Sequence, residues 1–293
     1  MEASELIKKV RKIEIKTRGL SQQVFAGQYH SAFKGRGMAF SEVREYQYGD
    51  DIRNVDWNVT ARFNHPFIKV FEEERELTVM LLIDLSASGN FGTQLRLKRE
   101  LITELAAVLS FSAIQNNDKI GVIFFTDKVE KFIPPKKGKQ HILRIIRELL
   151  EFEPEHQATS LSEPIRYLTN AIKKRSIVFI LSDFMDVDRE GKPRFVDAIR
   201  IAARKHDVVA LRIFDKRETE LPRVGLIRAV DAETGKMVWL DSSDRKIRNR
   251  YHDWWHNFSA QLDDSFKKTG IDAVSLDTSS DYVRPLMNFF RRR

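Results

Sequence analysis

The chain has 293 residues, 42% of them hydrophobic and 31% charged, a balance that excludes a wholly disordered protein. It has no cysteine, which rules out disulfides, thiolate metal sites and cysteine nucleophiles. Lys and Arg number 50 against 42 Asp and Glu, and the resulting net charge of +8 suits nucleic acid, an anionic membrane surface or an acidic protein partner. No apolar run approaches the ~20 residues needed to cross a bilayer. The first twenty residues mix Glu with Lys and Arg and contain no targeting segment, so the expected compartment is the cytoplasm.

In chain order, residues 1–22 read as a basic helix. Residues 23–75 are dense in Gly, aromatic and charged residues and read as a β-rich layer of short strands and turns. Residues 76–290 alternate strand and helix. Leu77–Asp84, Lys119–Thr126, Ser176–Asp183 and Asp207–Phe214 are near-continuous apolar runs, as in strands covered on both faces, and Ile271–Leu276 is a weaker fifth. Between them, Leu97, Leu101, Leu105, Val108 and Ser112 recur at helical spacing, as do Ile142, Ile145, Ile146, Leu149 and Leu150. Further helices are expected over Leu161–Ile172, Phe195–Ala203, Asp244–Lys268 and residues 280–290. The alternation predicts an α/β fold with a doubly wound, mostly parallel sheet. Lys128–Pro135 follows its strand too closely for a crossover helix and predicts an antiparallel edge hairpin. A second β-hairpin is expected as an insertion at about residues 224–243.

Ligands of doubly wound sheets bind at the carboxyl ends of strands where the strand order reverses. The first predicted strand ends in Asp84-Leu85-Ser86-Ala87-Ser88, where one carboxylate and two hydroxyls alternate and can face one point. Thr159 precedes a helix, and Asp183 ends the strand expected beside the first. These are hard oxygen donors suited to Mg²⁺ or Mn²⁺, and a divalent cation would relieve the repulsion between Asp84 and Asp183.

The ordered set Asp84, Ser86, Ser88, Thr159 and Asp183 resembles the metal-ion-dependent adhesion site of von Willebrand factor A domains. The blocks FKGRG, EVREYQYGDDIRNVDWNVTAR, EERELTV, DLSAS and PPKKGKQHIL also resemble the bacterial family called domain of unknown function 58, over about Ile7 to Leu286. That resemblance implies a von Willebrand factor A-like, Rossmann-type domain that binds proteins through a divalent metal. It also implies partnership, as an adaptor or chaperone-like protein, with a MoxR-type AAA+ ATPase. Many members carry N-terminal membrane helices, which this sequence lacks, and Ala39 stands where relatives usually have an acidic residue.

The expected function is therefore a non-enzymatic interaction module in which a partner's acidic side chain completes the metal site. A basic nucleic-acid binder and a metal-dependent phosphoesterase using the same crevice are the alternatives. A P-loop is excluded because Gln140 follows Gly138-Lys139, and the nucleophile elbow G-x-S-x-G is missing. Ser86 stands where a phosphotransferase of the haloacid dehalogenase type needs its second Asp. Asp50 and Asp51 read as turn residues paired with Arg44 and Arg53, in a block whose aromatic and Arg content also fits an interface. His252 and His256 read as helix-surface residues beside packed tryptophans.

Overall fold

A computed structural model describes residues 38–73, 77–92, 96–188, 190–230 and 235–293. The basic helix expected over residues 1–22, and residues 23–37 of the β-rich segment, lie outside them. The described residues fall into two compact units that meet in sequence at Leu77/Thr78.

In the smaller unit, β1 (Met38–Glu45) pairs antiparallel with β2 (Phe67–Glu73), and Ala39 lies opposite Glu72 in that register. The connection is not all turn, as the sequence suggested: α1 (Trp57–Phe63) occupies it. Asp56 starts this helix by accepting the N–H groups of Asn58 and Val59, and Asn64 ends it in the left-handed region at φ 55°. Seven residues rich in aromatic and β-branched types carry little helical periodicity, so the cap was the only local signal. Asp50 accepts both ends of the Arg44 guanidinium at 2.8 Å, and Asp51 pairs with Arg53, as expected of turn residues.

The larger unit follows the predicted alternation. β3 (Thr78–Asp84), α2 (Lys98–Gln115), β4 (Lys119–Phe125), β5 (Val129–Lys136), α3 (Lys139–Glu151), α4 (Ser162–Ala171), β6 (Ile177–Ser182), α5 (Val196–Lys205) and β7 (Asp207–Phe214) come first. The single-turn α6 (Lys216–Thr219), the hairpin β8 (Leu226–Val230) and β9 (Met237–Asp241), α7 (Arg245–Thr269), β10 (Asp272–Asp277) and α8 (Val283–Arg292) complete it. The sheet order is β10-β7-β6-β3-β4-β5, parallel except for β5, which is the antiparallel edge strand. β3 lies between β4 and β6, so the strand order reverses there and the crevice opens at the ends of β3 and β6. Residues 79–84 of β3 are buried throughout, as a central parallel strand requires.

Helix α2 is covered nearly all round rather than along one stripe: Leu101, Leu105 and Val108 are buried as expected, and so are Ala106, Ala107 and Leu109. The inserted hairpin turns Leu226, Val230, Met237 and Trp239 outward on one face. Gly270 caps α7 at φ 72°.

At Gly121 the β4–β5 pairing leaves no room for a side chain: a Cβ there would lie 2.8 Å from the Met80 sulfur and the Pro135 nitrogen. Gly121→Ala should therefore cost about 1–3 kcal/mol in urea denaturation, an overpacking penalty. His206, between α5 and β7, is buried with neither ring nitrogen hydrogen-bonded. Burial, with Lys205 and Arg175 nearby, pushes its pKa down to about 4. The native state thus binds fewer protons than the unfolded chain, and stability falls as pH drops from about 6.5 towards 4. His206→Phe should remove up to about 3 kcal/mol of that acid sensitivity, read as the difference between the two stability-versus-pH curves.

Candidate metal-binding cleft

The parallel register that sets Ile83 beside Leu181 brings Asp84 level with Ser182 at the next step. The Ser182 hydroxyl donates to Asp84 Oδ2 at 2.6 Å and accepts the Phe184 N–H at 2.9 Å. Asp84 Oδ1 accepts the Ser86 N–H at 3.0 Å, folding the chain after β3 back over the strand end. The backbone then makes a 3-10 turn over Ala87–Asn90, and the Ser86 and Ser88 hydroxyl oxygens stand 3.1 Å apart. Asp183 follows directly after β6, its Oδ1 accepting the Met185 N–H at 3.1 Å. Asp84, Ser86, Ser88, Ser182 and Asp183 thus line one cleft, with Gly89, Lys98, Ile102 and Ile213. The space between them suits about one water-sized occupant.

Thr159, the fifth residue singled out from sequence, is not part of that lining. It is nearly buried, in a loop fixed to the same end of the sheet. Ala87 N–H donates to Gln157 O, Ser160 N–H to Thr126 O, and Leu161 N–H to the Asp186 carboxylate. Glu130, on β5, holds the start of the loop by accepting the N–H groups of Glu155 and His156 and the Thr126 hydroxyl. Burial pushes the Glu130 pKa up, but these donors outweigh it and keep the carboxyl below its ordinary range.

Asp84 and Asp183 titrate differently because their neighbours differ. Burial, and the Asp183 charge, raise the Asp84 pKa to about 7. Burial also acts against ionisation of Asp183, but the Lys98 ammonium and the N–H of Met185 more than compensate and hold it below the usual carboxylate value. The Ser88 hydroxyl contributes in the same direction.

Lys98 is the residue that sequence reasoning missed. It is only 2% exposed, and its Nζ donates to Asp183 Oδ2 at 2.8 Å and to Glu218 Oε1 at 2.6 Å. Burial alone would lower its pKa, yet the two carboxylates raise it above the ordinary lysine value. As the first residue of α2 it sits at the positive end of the helix dipole, an unfavourable place for an ammonium. The two carboxylates overcome that cost. Glu218 is itself fixed: its other oxygen accepts the Asp215 N–H, and its carbonyl accepts the Tyr251 hydroxyl of α7.

The donor set fits a hard divalent ion. Two oxygens bound at right angles to Mg²⁺ at about 2.1 Å stand about 3 Å apart, close to the separation of the two serine hydroxyls. Asp84, Ser86 and Ser88 would hold the ion, with Asp183 next to them. His252 and His256 stack on the exposed side of α7, and among the described residues no carboxylate of another element is paired to them, consistent with surface residues.

Because Ser182 satisfies both Asp84 and the Phe184 N–H from a fully buried position, Ser182→Ala should cost about 1–3 kcal/mol in chemical denaturation. A loss within 0.5 kcal/mol of zero would mean that these groups find other partners.

A family model described as "Protein of unknown function DUF58" matches residues 42–260. The uncharacterized protein Rv1480 of Mycobacterium tuberculosis is 29% identical over 286 residues, covering 97% of this chain and 88% of that protein. The uncharacterized protein YeaD of Bacillus subtilis is 29% identical over 109 residues, 37% of this chain and 25% of its own length. Among solved structures, an aerotolerance-related membrane protein from Bacteroides fragilis matches with a TM-score of 0.50 at 15% identity, over 74% of this chain and 100% of that one. That likeness concerns the fold, and the strand order agrees with the von Willebrand factor A-like α/β architecture expected from sequence. Among the described residues, no helix is long and apolar enough to cross a membrane. With the model match spanning most of its length, this chain belongs to the DUF58 family, whose function is unknown.

Proposed function

We propose that the chain is a non-enzymatic protein-interaction module whose cleft takes Mg²⁺ or Mn²⁺ and, through it, an acidic side chain of a partner. The observation that carries this reading is the convergence of Asp84, Ser86, Ser88 and Asp183 on one cleft, with the serine hydroxyls at the spacing of neighbouring octahedral positions. Ser86 and Ser88 offer neutral oxygens and the Asp183 charge is already met by Lys98, so a divalent ion beside Asp84 would keep part of its charge and stay attractive to an anion. Asp84 supplies a negative charge beside Ser86, and burial together with the Asp183 charge raises its pKa. A bound ion supplies Lewis acidity, which a partner's carboxylate satisfies. The family resemblance suggests a MoxR-type AAA+ ATPase, or a client protein shared with it, as the source of that carboxylate.

A binding role, rather than hydrolysis, is supported by the chemistry of the lining. The ammonium in the cleft, Lys98, is held between two carboxylates and raised in pKa, which makes it a poor general base.

The fold should survive without metal, because Lys98 and Ser182 already satisfy the buried carboxylates. Mg²⁺ at ten times its dissociation constant should add only about 1.4 kcal/mol of stability, read as a small rise in Tm. In pull-downs with a MoxR-type ATPase, EDTA and Asp84→Ala should each abolish capture. Capture that is indifferent to both would remove this reading.

A further inference from the structure

We infer that Lys98 is a tethered competitor of the divalent cation: its ammonium holds the Asp183 carboxylate and weakens metal binding in the cleft. This rests on the proposed metal site and concerns its regulation. Lys98 Nζ lies 2.8 Å from Asp183 Oδ2, while Asp183 also interacts with Ser88, one of the two hydroxyls that face the ion position. Asp183 therefore stands between an internal cation and the place for an external one. Both draw on the same negative charge, and like charges in a water-poor cleft repel strongly.

The placement of Lys98 is built rather than incidental. Its chain is almost fully buried, beside the Phe91 ring at 6.0 Å, and α2 delivers it against the helix dipole. Glu218 shares the ammonium at 2.6 Å and is oriented by the Asp215 N–H, so the contact with Asp183 is one arm of a two-armed bridge. Glu218 thereby moderates the competition. With that arm removed, the ammonium is left to Asp183 alone and the cleft resists a divalent ion more strongly.

The test is Mg²⁺ and Mn²⁺ affinity, measured by calorimetry on the full chain, for the wild type, Lys98→Met and Glu218→Gln. Lys98→Met should bind at least tenfold more tightly. It should also melt lower than the wild type in EDTA and recover most of that loss in Mg²⁺. Glu218→Gln should bind several-fold more weakly than the wild type. If the wild type binds and Lys98→Met binds no better, the inference fails and the metal site stands. If only Lys98→Met binds, the metal-site reading fails for the natural chain while Lys98 as the resident cation stands. If none binds, both fall. Should Lys98→Met fail to fold with or without metal, Glu218→Gln decides: unchanged or tighter binding overturns the inference, and weaker binding supports it.

Discussion

Two carboxylates, Asp84 and Asp183, are buried side by side where the strand order reverses, and the surrounding structure answers that constraint. An unpaired buried charge costs several kcal/mol, so neither side chain can be left without donors. Asp84 receives a backbone N–H and a hydroxyl, both neutral, and its pKa rises to about 7. Asp183 receives an ammonium and stays ionised. The asymmetry matters for chemistry. One carboxylate is settled by the protein itself, and the other is ionised at a cost that a bound cation would remove.

Meeting that constraint links elements that are distant in sequence. Lys98 opens α2, Asp183 ends β6, and Glu218 lies in the single turn of α6 after β7, where Tyr251 of α7 also holds it. Leu97 and Lys98 reverse the expectation from hydrophobic periodicity. Leu97, expected on the apolar face, is the cap residue before α2 and is 39% exposed, while Lys98, the first residue of the helix, is 2% exposed with the Asp183 and Glu218 carboxylates as partners.

This explains what the sequence made legible. Strands β3, β4, β6 and β7 are apolar runs covered on both faces, and such runs identify themselves without knowledge of their neighbours. The cleft's Asp84, Ser86 and Ser88 share five residues, and a carboxylate after a strand that must pair with β3 placed Asp183. Lys98 and Glu218 lie 85 residues before and 35 after Asp183, on a helix start and a four-residue turn. Nothing local marks a lysine as buried, because lysines rarely are. Helix α1 escaped for a related reason: seven residues hold too few turns to establish a period, and its evidence is one capping aspartate. Thr159 lies in a loop at the carboxyl end of the sheet, and the hydrogen bonds that hold this loop, from the N–H groups of Glu155 and His156 to Glu130 and from Ser160 N–H to Thr126 O, involve residues that no local pattern links to it.

The overall charge and the cleft's charge have opposite signs, and they act at different ranges. A net +8 would draw an acidic partner over distances comparable with the Debye length, about 8 Å at physiological salt, and would chiefly raise the rate of encounter. At contact, the carboxylates of Asp84 and Asp183 would repel the acid that the general field attracted. On the proposed reading, seating of an acid would therefore depend on a change of charge inside the cleft. Lys98 supplies one positive charge there and spends it on Asp183 and Glu218. The Asp84 side, with its two adjacent hydroxyls, is where a further positive charge has the most to neutralise, and so where, on the proposed reading, an acid would be recognised.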